Sequence, residues 1–185
     1  MTEQLVPDVI TPITPVTLYK ALQAADPTLS RASLLVLLAQ IDEETGWRSC
    51  HCFNLGNIKH VPGDGHNFCA FPHNEIINGV EVWPDPLSDP FRAYASMAEG
   101  AADYLAILKR TFHLAWPAVI AGDPAQFCHL LRTQHYYTAD EGLYTRNVVA
   151  LDAQISREIP EEPPLAPAIQ GMLAMAMTNF TPDAS

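Results

Sequence analysis

The segment from Arg31 to Thr45 constrains this chain more than any other, because its start, its buried face and its end are all written in residue types. Ser30 offers a side-chain oxygen to the first free backbone N–H groups of a helix. Leu34, Leu37, Leu38 and Ile41 then recur at i, i+3, i+4 and i+7, and Gly46 supplies the left-handed residue at which a helix stops. The pattern predicts a helix with one face in the core, closing on three acids, Asp42, Glu43 and Glu44. At about 100° per residue, Glu44 comes within roughly 20° of Leu37 on the helical wheel, whereas Asp42 and Glu43 point more than about 100° away on either side. Glu44 therefore leaves the helix at the end of its buried face, where desolvation and the negative helix pole both raise a carboxyl pKa. A carboxyl that holds its proton near neutral pH is what a general acid needs. The competing reading is a solvated cluster of three acids at a helix end.

Other elements follow from the same logic. A short helix is expected from Val16 to about Ala25. Asn78-Gly79, between Glu75-Ile76-Ile77 and Val80-Glu81-Val82, marks a two-residue turn and so a small β-hairpin. Ser96 to Glu99 forms a capping-box pattern ahead of Ala101, Tyr104, Leu105 and Leu108 at helical spacing. Asp123-Pro124 opens a helix carrying Phe127, Leu130 and Leu131, and Tyr144, Val148, Leu151 and Ile155 stripe a last helix that Pro160 ends.

With 185 residues, 48% hydrophobic and 17% charged, the chain can bury one core. Prolines gather before Val16 and again from Pro160 to Pro167, so residues 1–15 are read as an extended arm, 16–158 as the folded domain, and 159–185 as a proline-rich linker and short apolar helix. The Met-rich part of that last segment could pack back on the domain or serve a protein partner. A formal charge of -11, with ten scattered Lys and Arg, excludes a nucleic-acid binder and disfavours an anionic membrane. No apolar run reaches transmembrane length, and residues 1–20 lack a basic region followed by an apolar one, so synthesis in the cytoplasm without a signal peptide is expected. Cys50, Cys52, His66 and Cys69 could be read as a zinc set, although Cys-x-Cys is tighter than the usual spacing. The alternatives are a bridge from Cys50 or Cys52 to Cys69, or free thiols. No metal and no cofactor is expected in the chemistry.

Glu44-Thr45-Gly46-Trp47, followed by Asn54-Leu55-Gly56-Asn57-Ile58-Lys59, resembles the motifs of the lysozyme-like peptidoglycan glucosaminidases, a family of autolysins, flagellar hydrolases and phage lysins. Matches continue in order through Glu75 with Asn78-Gly79, Phe91-Arg92-Ala93-Tyr94-Ala95-Ser96, Tyr104, and Tyr136-Tyr137-Thr138-Ala139 with Tyr144. Together they span nearly all of residues 31–157. The resemblance implies a mainly α (α+β) lysozyme-like domain with a small hairpin beside an active-site cleft, acting on peptidoglycan glycan strands. It implies Glu44 as the catalytic acid and Glu75 as the second acid, a base or a stabiliser, with Glu81 as fallback. Tyr136 or Tyr137 lines the cleft, Tyr137 being taken as the catalytic one and Tyr136 as a sugar contact. Trp47, Asn54 and Tyr94 complete the expected substrate-binding set, Trp47 and Asn54 also shaping the loop after the acid.

The implied reaction is hydrolysis of a β-1,4 bond, with cleavage after N-acetylglucosamine favoured over a muramidase or lytic transglycosylase. A noncatalytic wall-binding or structural module of a phage or secretion apparatus is the reading from another class. Action on the wall would then follow holin-dependent release, lysis or specialised secretion. The chain departs from the family pattern at Arg48, where many members have glycine, at the cysteines flanking His51, and at Ala139-Asp140-Glu141.

Overall fold

The computed structural model describes residues 2–46, 49–73, 75–77 and 80–159, the side chains of 75–77 excepted. The chain runs β1 (Ile10–Thr11), α1 (Pro15–Ala25), α2 (Arg31–Thr45), β2 (Cys50–His51), β3 (Asn67–Cys69), β4 (Glu75–Ile77), β5 (Val80–Val82), β6 (Phe91–Ala93), α3 (Met97–Arg110), α4 (Trp116–Ala121), α5 (Pro124–Thr133) and α6 (Glu141–Glu158). It is the mainly helical architecture that the sequence predicts. Three two-stranded antiparallel sheets, β1-β2, β3-β6 and β4-β5, make up the β part. Among the described residues no helix is long and apolar enough to cross a membrane.

The helix α2 is the hub. The Ser30 side chain accepts from the Ser33 backbone N–H, and Gly46 closes the helix with φ 62°. Every residue from Ser33 to Asp42 is buried, so α2 is covered on all sides, by α6, α1 and α4 among others. A single apolar stripe underestimates it: Leu35 and Val36, off the stripe, are buried too. Leu34, Leu37, Leu38 and Ile41 have no solvent exposure, and each contributes about 1.5–3 kcal/mol by burial.

The other helices begin where their capping residues stand. Thr14 caps α1, one residue ahead of the expected start, and Asp123 and Asp140 cap α5 and α6. At α3 the box is only half made: the Ser96 side chain accepts from Glu99 N–H, but the Glu99 carboxylate accepts from Ala95 instead of Ser96. The short helix α4 has no side-chain cap and was not legible in the sequence. Pairing of Ile77 with Val80 leaves two residues between β4 and β5, as the hairpin reading expects, although Asn78 and Gly79 lie outside the described residues.

The arm is more structured than a free extension. Backbone bonds tie Gln4 and Val6 to Phe68, and Cys52 to Val9, while β1 pairs with β2. The linker and apolar helix expected after Ile159 lie outside the described residues.

Candidate active site

Glu44 sits on the last turn of α2, its side chain partly shielded. Two donors reach it. Gln40, one turn earlier on the same face, donates from Nε2 to Glu44 Oε1 at 3.1 Å, and the Tyr144 hydroxyl of α6 donates to the same oxygen at 3.0 Å. Among the described residues no hydrogen bond reaches Oε2. Burial is the largest influence on the carboxyl and pushes it up; the bonds from Tyr144 and Gln40 oppose burial, and the charge of Glu43 adds to it. The net pKa is raised from 4.5 to about 7.

Gln40 was not singled out in the sequence, yet it organises the site. It is fully buried and accepts from the Tyr104 hydroxyl, and the two hydrogens on its Nε2 are shared among Glu44 Oε1 and the Tyr136 and Tyr144 hydroxyls, at 3.1, 3.0 and 3.3 Å. Three helices and the turn after α5 thus deliver their polar tips to one amide. A polar residue between Leu37 and Glu44 on an otherwise apolar face was the available signal. Such a network gains little unless every member is satisfied, and costs much when one is removed.

The loop after α2 closes around this cluster. Asn57, at φ 47°, donates to the Glu44 carbonyl at 3.0 Å, satisfying one of the free carbonyls at the helix end. Gly56 lies against the tyrosines, where a Cβ would stand 3.0 Å from the Tyr104 ring and 3.1 Å from the Tyr136 hydroxyl. That hydroxyl donates back to the Gly56 carbonyl at 3.3 Å. Gly100 in α3 fits the same loop even more closely, since a Cβ there would meet the Phe53 carbonyl oxygen at 2.0 Å.

Several expected site residues are placed elsewhere. Tyr137 does not face Glu44: its hydroxyl donates to the Cys128 carbonyl at 3.1 Å and its ring stacks on Tyr144 at 3.8 Å. The turn at His135, φ 60°, places the Tyr136 hydroxyl beside Gln40 and Gly56 and the Tyr137 ring against Tyr144. Asn54 is buried, donating to the Ile58 and Arg92 carbonyls at 2.9 and 3.0 Å and accepting from Ile58 N–H. It holds the loop with both amide hydrogens committed, and it is only 2% exposed, which sets it apart from a surface sugar ligand. Tyr94 donates to Asp103 at 2.6 Å, beside an Arg92–Asp103 ion pair that ties β6 to α3. Glu75 lies on β4 with its side chain outside the described residues, as does all of Trp47. Asp42 is buried, so the three acids are not a solvated cluster.

The zinc set read from sequence is not assembled. Cys50 packs in the main core, and His66 sits edge-on to Tyr94. Cys52 and Cys69 instead meet Asp8 of the arm, the three ligand atoms lying within 4.8 Å of one another, and all four cysteines are free thiols.

Tyr144 and Tyr137 separate cleanly by experiment. Removing the Tyr144 hydroxyl takes a donor from Glu44, so Tyr144→Phe is expected to move the alkaline limb of any Glu44-dependent rate to higher pH. Tyr137→Phe is expected to leave that limb in place, and pH–rate profiles of the two variants check it.

Fold and site together define a mainly helical domain with small antiparallel sheets, whose central helix ends on a shielded carboxyl with a raised pKa. Among solved structures, the chain is similar to a C-terminally truncated glycoside hydrolase domain of Salmonella typhimurium FlgJ, with TM-score 0.54 and 21% identity over 78% of this chain and 96% of that one. It is similar also to a peptidoglycan hydrolase from Sphingomonas sp. A1, with TM-score 0.54 and 19% identity over 80% of this chain and 95% of that one. At these identities the likeness establishes the fold. The sequence matches no protein-family model and no curated protein.

Proposed function

We propose that this chain is a glycoside hydrolase that cuts β-1,4 bonds in the glycan strands of peptidoglycan, with Glu44 as the general acid. The observation that carries the proposal is a helix-end carboxyl raised to about 7 by burial while two donors converge on one of its oxygens. The fold shared with domains described as glycoside and peptidoglycan hydrolases supports the substrate class.

With Oε1 accepting from Gln40 and Tyr144, Oε2 is the oxygen that carries the proton and gives it to the glycosidic oxygen as the bond breaks. The carboxylate so formed gains strength from the same two donors, which therefore act more strongly in the transition state than before it. Burial keeps the proton on at rest and the hydrogen bonds ease its departure, and the balance sits near neutral pH. Glu75 is assigned the activation of water from the hairpin side, giving inversion at the anomeric carbon; assistance by the substrate acetamido group is the other route, and it gives retention. Cleavage after N-acetylglucosamine, outside the membrane, is the finer reading, and it rests on the motif resemblance.

Digestion of purified sacculi followed by borohydride reduction tests the bond directly. Reduced N-acetylglucosamine at the new ends is expected. Reduced N-acetylmuramic acid would make the enzyme a muramidase, ends that resist reduction would make it a transglycosylase, and no new ends would remove the hydrolase reading.

A further inference from the structure

We propose that Asp8, Cys52 and Cys69 form a binding site for a thiophilic divalent cation, with zinc as the expected ion, which fastens the N-terminal arm to the domain. The three donors come from three separate segments: the arm, the loop after β2, and β3. Cys52 and Cys69 are buried, at 3% and 0% exposure, while Asp8 reaches them from the surface. The Cys52 Sγ lies 3.8 Å from Asp8 Oδ1, and all three ligand atoms are within 4.8 Å of each other. Tetrahedral zinc holds two thiolates about 3.8 Å apart and a thiolate and a carboxylate oxygen about 3.6 Å apart. The donors therefore stand near coordinating separation.

The surroundings also suit a ligand set. His51 Nδ1 lies 2.9 Å from each Asp8 oxygen, an outer partner that orients the carboxylate. The Val9 N–H points at Cys52 Sγ at 3.5 Å, as backbone donors do around metal-bound sulfur. Cys52 and Phe53 both take left-handed backbone, φ 49° and 58°, a conformation unfavourable for either residue that the surrounding loop maintains. A cavity of about 320 Å³, lined by Val6, Pro7, Val9, Asn67, Tyr94 and Cys52, lies beside the cluster. Two sulfurs select a soft ion over magnesium or calcium, and each thiol releases its proton to solvent on binding. The fourth position goes to water.

The site is independent of the hydrolase reading, and its test does not use activity. The full chain, reduced and stripped of metal, would be titrated with zinc against a chromophoric chelator and with cobalt(II) by absorption. One equivalent bound with a dissociation constant below about 1 μM is expected, with sulfur-to-cobalt charge-transfer absorption in the near ultraviolet. Cys69→Ser is expected to weaken binding at least about 100-fold and Asp8→Asn about 10- to 100-fold, with Cys128→Ala unchanged. Asp8 is exposed, so its variant remains informative if a buried thiol variant fails to fold. No binding by the reduced protein, cobalt uptake without sulfur charge transfer, or undiminished wild-type affinity in the Cys69→Ser and Asp8→Asn variants would overturn the proposal.

Discussion

Replacing Glu44 by Gln is expected to cut sacculus hydrolysis by at least about 100-fold, the usual contribution of a general acid, and at the same time to stabilise the fold at alkaline pH. The second half of that result follows from linkage. Because the folded carboxyl has its pKa raised from 4.5 to about 7, the folded state keeps a proton that the unfolded chain releases. Stability from this group is full below pH 4.5 and falls as pH climbs toward 7, by about 3 kcal/mol in total. Glutamine keeps the oxygen that accepts from Gln40 and Tyr144 and never ionises, so it escapes that loss. Denaturant unfolding at pH 8 should therefore find the variant more stable than the wild type by up to about 3 kcal/mol, and at pH 4 nearly equal to it. A variant that lost activity and was also less stable at pH 8 would point to a structural role for Glu44 alone.

Gln40→Leu should be the most damaging change away from the acid itself. It leaves the buried Tyr104 hydroxyl without its acceptor, takes one partner from the half-buried Tyr136 hydroxyl, which keeps the Gly56 carbonyl, and removes one donor from Glu44. An unsatisfied buried polar group costs about 1–3 kcal/mol, so a loss of about that size in unfolding free energy is expected. The residual activity should also respond to pH differently. With one anion-stabilising bond gone, Glu44 holds its proton more tightly, and the alkaline limb of the rate profile moves upward from about 7. A merely structural Gln40 would lower the amount of folded protein and leave the limb where it was. The pH profile of kcat/KM, taken at a temperature where the variant is folded, separates the two.

What could be read in the residues depended on how local the cause was. The helix α2, its Ser30 and Gly46 ends and the inward turn of Glu44 are fixed by spacing within one element, and spacing is visible in a sequence. Which of Tyr136 and Tyr137 stands nearer Glu44 was not legible, because a single left-handed residue, His135, sets the course of the two adjacent rings, and histidine gives no clear sign of adopting that conformation. Asn54 looked like a sugar ligand because its backbone partners at Ile58 and Arg92 come together only in the folded loop. The pairing of β3 with β6 and of the arm with Phe68 joins segments with no local pattern linking them, so neither the placement of Tyr94 nor the Asp8–Cys52–Cys69 cluster was legible. Gln40 lay between the two: its position on the stripe was visible, but the three tyrosines that give it meaning arrive from α3, α6 and the turn before α6.

The account turns on the protonation of one side chain, and carbon-13 NMR of the glutamate carboxyls reads it directly, with Glu44→Gln identifying the resonance. A titration midpoint near 7 is the expected result. A midpoint at the ordinary 4.5 would mean that Glu44 is ionised at neutral pH and would contradict its role as the acid.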